Sequence, residues 1–377
     1  MITKKLRYLV FFGYVSCIFS QTEEVAIHNV IDSYVLGTAY NQSEKVLSAF
    51  LPGANMFLDH KDKPLFIMKV EEYANRIDGS KAGQFNGRIT NILNIDRFGG
   101  IATAKLEVLL PEANLRFIDY LLLKKLDDGW KIISKTAGSE NTDKNGEKVL
   151  LVVSNVSKQG DSELPAGNSF SEVVVAYDEY KKAGYHVDVV SPKGGKIPLA
   201  YINPADSLQL QYLYDTDFIY AISHTQKPEE ISPDDYVVLQ FTGGSAPIFD
   251  IPQNIELQDI AMKIYENNGV IAAVCHGTAG IVNLKTKDGQ YLIKNKRVNG
   301  VPDSHESKQL PHYAQYPFII ETLLKERGGN FYHSKIGTPH MEVDGRLVTG
   351  QNSLSSEMVT RKSIEISKKL IASKLIK

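Results

Sequence analysis

A cysteine, a histidine and a glycine follow directly after a buried-looking apolar stretch in the second half of the chain. The stretch is 270–274, and Cys275, His276 and Gly277 come next. A small residue, a nucleophile and a glycine at a strand-to-helix turn form a nucleophile elbow, here with cysteine in place of serine. Small neighbours are needed because this turn crowds its own backbone. The pattern predicts that Cys275 is a catalytic nucleophile.

The predicted turn also bears on the reactivity of this thiol. We expect a helix to start at about Thr278, and its N-terminus behind the sulfur would lower the pKa of Cys275 and favour the reactive thiolate. The alternative is a buried free cysteine that acts as a small hydrophobic residue. Its position at the end of a strand, next to His276 and a glycine, favours the catalytic interpretation.

The elements around this motif alternate between apolar runs and helical stretches. The predicted strands cover 149–154, 185–191, 236–241, 270–274 and 346–350. The predicted helices cover 170–182, 255–267 and 355–375. Apolar strands that alternate with helices predict an α/β fold with a doubly wound parallel sheet. Sites in such sheets form at the carboxyl ends of the strands, where Cys275 stands.

Four motifs in this half resemble the ThiJ/PfpI superfamily, and in particular its branch of glyoxalase III and heat-shock chaperone proteins. They are the Cys-His-Gly motif, the strand GVIAAV, the later GRLVTGQN and the earlier AGYHVDVVSPKGG. The similarity runs from about Lys148 to Leu375. It implies a flavodoxin-like domain of the class I glutamine amidotransferase-like type at 148–377.

The resemblance implies roles for acidic residues that the sequence alone would not select. Cys275 corresponds to the nucleophile and His276 to its partner. Glu306 corresponds to the acid that orients the histidine, with Asp303 as the alternative. Glu172 corresponds to a buried glutamate beside the cysteine, where its pKa would be raised and it could donate a hydrogen bond to sulfur or shuttle a proton. For Glu172 and Glu306 the ordinary alternative is a solvated surface side chain.

The resemblance further implies an oxyanion site at a glycine pair. The backbone of Gly243 and Gly244 corresponds to the pair that lies near the substrate oxygen, and Asp250 also matches. The chain departs from the family at the next two positions, where Ser245 and Ala246 replace the frequent histidine and glycine. The nine histidines are scattered without a metal-binding motif, so we expect no metal and no cofactor.

The first half follows a different plan. Residues 22–137 begin with a helical pattern and continue with predicted strands at 85–95, 101–110, 117–125 and 130–135, which indicates an α+β domain. The tract FIDYLLLKKLDDGWKIISK resembles the last hairpin of the cone-shaped nuclear-transport-factor-like fold, in particular its lumazine-binding branch. Such folds host enzymes and binding modules alike, so the resemblance implies a pocket for an unknown ligand or partner. The polar segment 138–147 is the predicted linker.

The N-terminus has the order of a secretory signal. Lys4, Lys5 and Arg7 precede an apolar run that ends near Ser20 and is shorter than the roughly 20 residues that span a bilayer. We expect cleavage after Ser20 and a periplasmic or extracellular location. A lipoprotein signal at Cys17 is the rival interpretation.

Composition excludes several classes of protein. Hydrophobic residues make up 43% of the 377 residues, charged residues make up 23%, and the formal net charge is -2. These values argue against a disordered chain, a polytopic membrane protein and a nucleic-acid partner. Two cysteines exclude a disulfide framework and a structural zinc cluster. We expect a homodimer.

The sequence leaves two hypotheses about function open. The resemblance implies a cofactor-independent cysteine enzyme that acts on small reactive carbonyls, converting methylglyoxal to lactate, or on their protein adducts as a deglycase. The alternative is an envelope stress chaperone or a redox or ligand sensor, in which the first domain binds the ligand and the cysteine is oxidised.

Overall fold

The computed structural model describes residues 23–60 and 63–375 of the chain, which divides into two compact units, Met1–Asn145 and Gly146–Lys377. The border lies inside the predicted linker. Residues 138–141 are not linker, however, because they extend the last strand of the first unit and pair with residues 115–118. Ladder hydrogen bonds come from the backbone, so a polar sequence can continue a strand wherever a long partner strand is present.

The first unit has the predicted α+β architecture. Its helices are α1 (residues 23–39), α2 (Ser43–Ala49) and α3 (Val70–Ala74). Its strands are β1 (Phe50–His60), β2 (Lys63–Lys69), β3 (Ile89–Phe98), β4 (Ile101–Leu110), β5 (Leu115–Leu126) and β6 (Gly129–Asn141). They form one sheet in the order β2-β1-β6-β5-β4-β3, in which only the β1–β6 pair is parallel. The sequence did not predict β1 and β2, since the proline and the glycine in β1 hide its alternation.

The second unit is built on a parallel sheet. Its strands are β7 (Lys148–Val152), β8 (Asn168–Ser169), β9 (His186–Val190), β10 (Leu199–Ala200), β11 (Tyr236–Phe241), β12 (Val270–Val274), β13 (Arg297–Val298), β14 (Asn330–Phe331), β15 (Met341–Asp344) and β16 (Leu347–Gly350). Its helices are α4 (Phe170–Lys182), α5 (Ser207–Leu213), α6 (Thr216–Ser223), α7 (Pro247–Asp250), α8 (Ile255–Glu266), α9 (Ile320–Glu326) and α10 (Ser356–Leu375).

The strand order of this sheet confirms the predicted flavodoxin-like fold. The order is β15-β16-β12-β11-β7-β9, and all neighbours except β15 and β16 run parallel. Counted along the chain, the five parallel strands stand in the order 2-1-3-4-5, with the reversal between β7 and β11. The carboxyl ends of β7, β11 and β12 meet beside that reversal.

Apolar side chains on both faces of the sheet explain its continuous hydrophobic strands. Val149 and Leu151 pack in one core layer together with residues of α4 and α10. Leu150 and Val152 point the other way, into a layer formed with α8 and α9. Successive strand residues face opposite sides, so a strand covered on both faces must be apolar throughout.

The predicted signal at 1–20 lies outside the described residues. Across 23–60 and 63–375, no helix combines the length and the apolar character that crossing a bilayer requires.

Candidate active site

The predicted nucleophile stands on a strained turn. Cys275 follows β12 directly and has a φ of 55°, a left-handed backbone that residues other than glycine adopt only where the surroundings enforce it. The chain then continues as a 3₁₀-helix, Cys275–Ile281, which begins three residues before the predicted start at Thr278. Cys275 is a free thiol in a residue of intermediate exposure.

A hydrogen-bond relay connects this thiol to an acid. The Cys275 sulfur lies 3.8 Å from Nδ1 of His276, and Nε2 of His276 lies 2.9 Å from Oε1 of Glu306. When Nε2–H donates to the carboxylate, Nδ1 presents its lone pair to the sulfur and can accept the thiol proton. Asp303, the alternative acid, instead accepts a hydrogen bond of 2.6 Å from Tyr313 and pairs with Lys308.

Two side chains that sequence reasoning missed surround Glu306. The Tyr316 hydroxyl lies 3.5 Å from Oε2 of Glu306, and its ring centroid is 5.4 Å from that of His276. Nε2 of His312 lies 3.9 Å from the same oxygen. Burial alone would raise the pKa of Glu306, but the hydrogen bond and charge of His276, with His312 and Tyr316, lower it below the ordinary value. The aromatic-rich segment that follows Glu306 in sequence was the available signal.

Glu172 is buried at the start of α4, with 1% of its surface exposed. Its Oε2 accepts a hydrogen bond of 2.9 Å from the backbone N–H of Gly243, and its carboxyl also contacts Cys275. Burial raises the pKa of Glu172 to about 7, although these hydrogen bonds and the charge of His276 oppose the rise. The surface-helix alternative is therefore wrong, and the carboxyl can gain or lose a proton near neutral pH.

The glycine pair lies where the backbone must approach these side chains. A Cβ on Gly243 would stand 2.6 Å from Oε2 of Glu172 and 2.7 Å from Cβ of Cys275, so only glycine fits. The Gly243 N–H is engaged by Glu172, whereas the N–H groups of Gly244 and His276 approach the sulfur. Of the predicted pair, Gly244 therefore has its N–H near the sulfur, together with that of His276, whereas the N–H of Gly243 is already engaged.

The thiol is more basic than the sequence predicts. Burial raises the pKa of Cys275 above its ordinary value, and the charge of Glu172 raises it further, while the N–H groups of His276 and Gly244 oppose the rise only in part. The expectation of a lowered pKa is wrong, because a seven-residue 3₁₀-helix does not offset a buried carboxylate beside the sulfur. The thiol must therefore lose its proton as it reacts.

The segment after Gly244 is held in place by hydrogen bonds to neighbouring loops. The Ser245 hydroxyl accepts a hydrogen bond of 3.2 Å from the N–H of Gly167, and Ala246 is fully buried. Asp250 accepts hydrogen bonds from the hydroxyl of Ser154 and the N–H of residue 155, at 2.6 and 3.0 Å. Burial raises the pKa of Asp250 to about 6. The described part of the chain contains no group of three or more His, Cys, Asp or Glu side chains placed to hold a metal ion.

Comparisons with known proteins agree with this architecture. A model of the DJ-1/PfpI family matches residues 165–366, and one described as "Putative lumazine-binding" matches residues 22–136. The glutathione-independent glyoxalase HSP31 of Saccharomyces cerevisiae is 32% identical over 208 residues, which are 52% of this chain and 86% of the yeast protein. Glyoxalase 3 of Candida albicans is 27% identical over 222 residues, which are 55% of this chain and 93% of that protein.

Solved structures show the same fold. The Rapid Encystment Protein 24 KDa of Francisella tularensis superimposes with a TM-score of 0.55 at 26% identity, covering 59% of this chain and 99% of that one. The match of a family model to more than half of the chain, together with the strand order and the elbow at Cys275, establishes that this chain belongs to the DJ-1/PfpI family.

Proposed function

We propose that the second unit is a glutathione-independent glyoxalase that converts methylglyoxal to lactate. The observation that carries the proposal is the relay from Cys275 through His276 to Glu306, with the buried carboxyl of Glu172 also in contact with Cys275. This arrangement supplies a nucleophile, a base and a second proton carrier in one place. The similarity to relatives named as glutathione-independent glyoxalases supports the choice of substrate.

The first step is the addition of the thiol to the aldehyde. The sulfur of Cys275 bonds to the aldehyde carbon, its proton passes to Nδ1 of His276, and protonated Glu172 donates its proton to the aldehyde oxygen. The product is a hemithioacetal. The raised pKa of the thiol favours this coupled transfer, since no free thiolate is needed beforehand. The N–H groups of Gly244 and His276, which approach the sulfur, support the proposal that they stabilise charge on the neighbouring oxygen as it develops.

The second step moves a hydrogen between two carbons. The Glu172 carboxylate removes the proton on the sulfur-bearing carbon while His276 protonates the neighbouring ketone oxygen, which gives an enediol. Glu172 then returns its proton to the second carbon and His276 takes the hydroxyl proton, which leaves a thioester. Water then attacks the thioester with the Glu172 carboxylate as base, and protonated His276 gives its proton to the departing sulfur, which releases lactate and restores the thiol. A pKa of about 7 suits Glu172 to both directions of transfer.

The test is turnover without glutathione. Purified protein should consume methylglyoxal and form lactate in equal amounts, and the Cys275→Ser variant should not. Absence of turnover with methylglyoxal and with glyoxal would overturn the proposal and favour the chaperone or sensor alternative. Activity only on glycated peptides would assign the same site to deglycation.

We also propose that residues 1–20 direct export, so that the substrates are carbonyls outside the cytoplasm. The charged head, apolar run and small residue at Ser20 support this proposal. The intact mass of protein from the exported fraction should correspond to a chain that begins at Gln21. A mass that includes an acylated Cys17 would replace this proposal with a lipoprotein.

A further inference from the structure

A second nucleophile–histidine–carboxylate relay lies in the same unit as Cys275. Oγ of Ser334 is 2.7 Å from Nδ1 of His340, and Nε2 of His340 is 2.8 Å from Oε1 of Glu342. The atoms follow the same order as in the cysteine relay, with Nδ1 toward the nucleophile and Nε2 toward the acid. Because Nε2–H donates to Glu342, the serine hydroxyl donates to Nδ1, which is the arrangement that activates an alcohol.

Contacts from several elements hold this relay in place. Arg297 donates two hydrogen bonds to Glu342, at 2.7 and 3.1 Å, and its guanidinium stacks on the ring of Tyr332 at 4.2 Å. The backbone N–H of Ser334 donates to Oε1 of the buried Gln351 at 2.9 Å. The positions of the serine and the acid are therefore fixed independently of each other. Arg297 also takes up part of the Glu342 charge, so we expect this relay to be slower than the cysteine relay.

The serine of this relay faces an open pocket of about 530 Å³. The lining residues are His305, His333, Ser334, Lys335 and Thr338. In the part of the chain that the structure describes, the backbone N–H groups of residues 335–337 donate no hydrogen bond. In serine hydrolases, the N–H after the nucleophile commonly stabilises the oxyanion, and here that group belongs to Lys335. The Lys335 ammonium gives the pocket a positive charge.

We propose that Ser334 is a second nucleophile, which hydrolyses small esters that carry a carboxylate. Ser334 Oγ bonds to the ester carbonyl carbon and its proton passes to Nδ1 of His340. The intermediate collapses, the bond to the alcohol oxygen breaks, and the alcohol leaves with that proton. Water then attacks the acyl carbon and gives a proton to His340. The bond from that carbon to the serine oxygen breaks, His340 returns the proton to this oxygen, and the acid leaves. Lys335 binds the substrate carboxylate. This activity is independent of the proposed glyoxalase reaction.

Covalent labelling tests the nucleophile directly. All proteins carry Cys275→Ala, which removes the competing thiol, and are treated with a fluorophosphonate probe. Peptide mapping should find the probe on Ser334, and labelling should fall by at least 20-fold when Ser334→Ala or His340→Gln is added. Ser304→Ala, a change at an exposed nearby serine, is the matched control. Thermal unfolding establishes that each variant is folded. Folded protein that is not labelled at Ser334 would overturn the proposal, since a merely structural Ser334–His340 bond predicts that result.

Ester hydrolysis tests the substrate class. In the same background, the protein should cleave mono-p-nitrophenyl succinate with a lower KM than p-nitrophenyl acetate. Lys335→Gln should reduce that KM ratio about five-fold or more. Ester cleavage that survives Ser334→Ala would show that another group carries it and would overturn the proposal. Equal KM values for the two esters would overturn the assignment of an acidic substrate.

Discussion

Two buried carboxyl groups, Asp119 in the first unit and Glu172 in the second, are accommodated in opposite ways. In the first unit, Nζ of Lys135 lies 2.8 Å from the carboxylate of Asp119, which also accepts a hydrogen bond of 2.9 Å from Tyr34. Both charged side chains are at most 5% exposed. In the second unit, Glu172 is as deeply buried, but its hydrogen-bond partners are a backbone N–H, a thiol and the Ser169 side chain, none of which is a cation. The Lys135 ammonium neutralises the charge of Asp119, whereas Glu172 has no such cation among its hydrogen-bond partners.

This difference separates a structural cluster from a reactive one. Asp119 has a cation to compensate its charge, so its burial serves the packing of the cone. Burial raises the pKa of Glu172 to about 7, so the carboxyl can exchange a proton with a neighbour at physiological pH. Buried polarity alone therefore does not mark a site. A raised carboxyl pKa beside a partly exposed nucleophile does.

The largest effect should come from the nucleophile itself. Cys275→Ser keeps the size of the side chain but removes the sulfur, so methylglyoxal turnover should fall by about 10⁴-fold or more. Stability should change little, because serine has nearly the same shape and the same backbone requirements as cysteine. Lactate formation and thermal unfolding measure the two quantities. Retention of a few per cent of wild-type turnover would contradict covalent catalysis through this thiol.

Substitution in the Lys135–Asp119 cluster of the first unit should instead have its main effect on stability. Lys135→Met leaves Asp119 buried without its cation and should lower the free energy of unfolding by about 3–5 kcal/mol. Denaturant unfolding followed by tryptophan fluorescence suits this measurement, since Trp130 lies in the same strand, β6. The double variant with Asp119→Leu removes the orphaned charge and should recover much of the loss. A loss below about 1 kcal/mol in Lys135→Met would mean that the pair is not buried in solution.

The residues alone located the fold and the turn at Cys275, whereas Glu172, Glu306 and the glycine pair followed only from the family resemblance. Continuous apolar strands, and the small residues around Cys275, are local signals, and they predicted β11, β12 and α4 with the observed bounds. The pKa of the thiol was predicted in the wrong direction, because it depends on a carboxyl that is distant along the chain. The same limit applies to Tyr316 and to the engaged N–H of Gly243, which depend on tertiary contacts.

Substitution of the buried carboxyl should have the next largest effect on turnover. Glu172→Gln can still accept the hydrogen bond from Gly243 but cannot carry a proton, so turnover should fall about 10²-fold. Glu179→Gln is the matched control, since Glu179 lies on the same helix and pairs with Arg361 at the surface. Thiol alkylation should persist in both variants. Near-normal turnover in Glu172→Gln would remove this residue from the proton path.

The same variant should change the pH dependence of stability. The pKa of Glu172 is raised from 4.5 to about 7 on folding, so the folded state holds the proton more tightly. The contribution of Glu172 to the free energy of unfolding is fully present below pH 4.5. It is lost as the pH rises to about 7, a change of up to about 3 kcal/mol. Denaturant unfolding of wild type and Glu172→Gln between pH 4.5 and 8 should show a steeper fall for wild type. Parallel curves would contradict the raised pKa.

The smallest effect should come from the hydroxyl that meets Glu306. Its distance of 3.5 Å makes a weak hydrogen bond, and Glu306 keeps the stronger one of 2.9 Å from His276. Tyr316→Phe should therefore reduce turnover only about two- to five-fold, through looser orientation of the acid. Tyr313→Phe is the matched control, because that hydroxyl donates to Asp303 outside the relay.

The comparison of kcat with KM decides how Tyr316 acts. If Tyr316 only positions Glu306 and does not contact substrate, Tyr316→Phe should lower kcat and leave KM nearly unchanged. A rise in KM of ten-fold or more would mean instead that the Tyr316 hydroxyl binds the carbonyl substrate. The site would then reach beyond the Cys275 relay to the loop that carries Tyr316, and the segment after Glu306 would set substrate specificity as well as orient the acid.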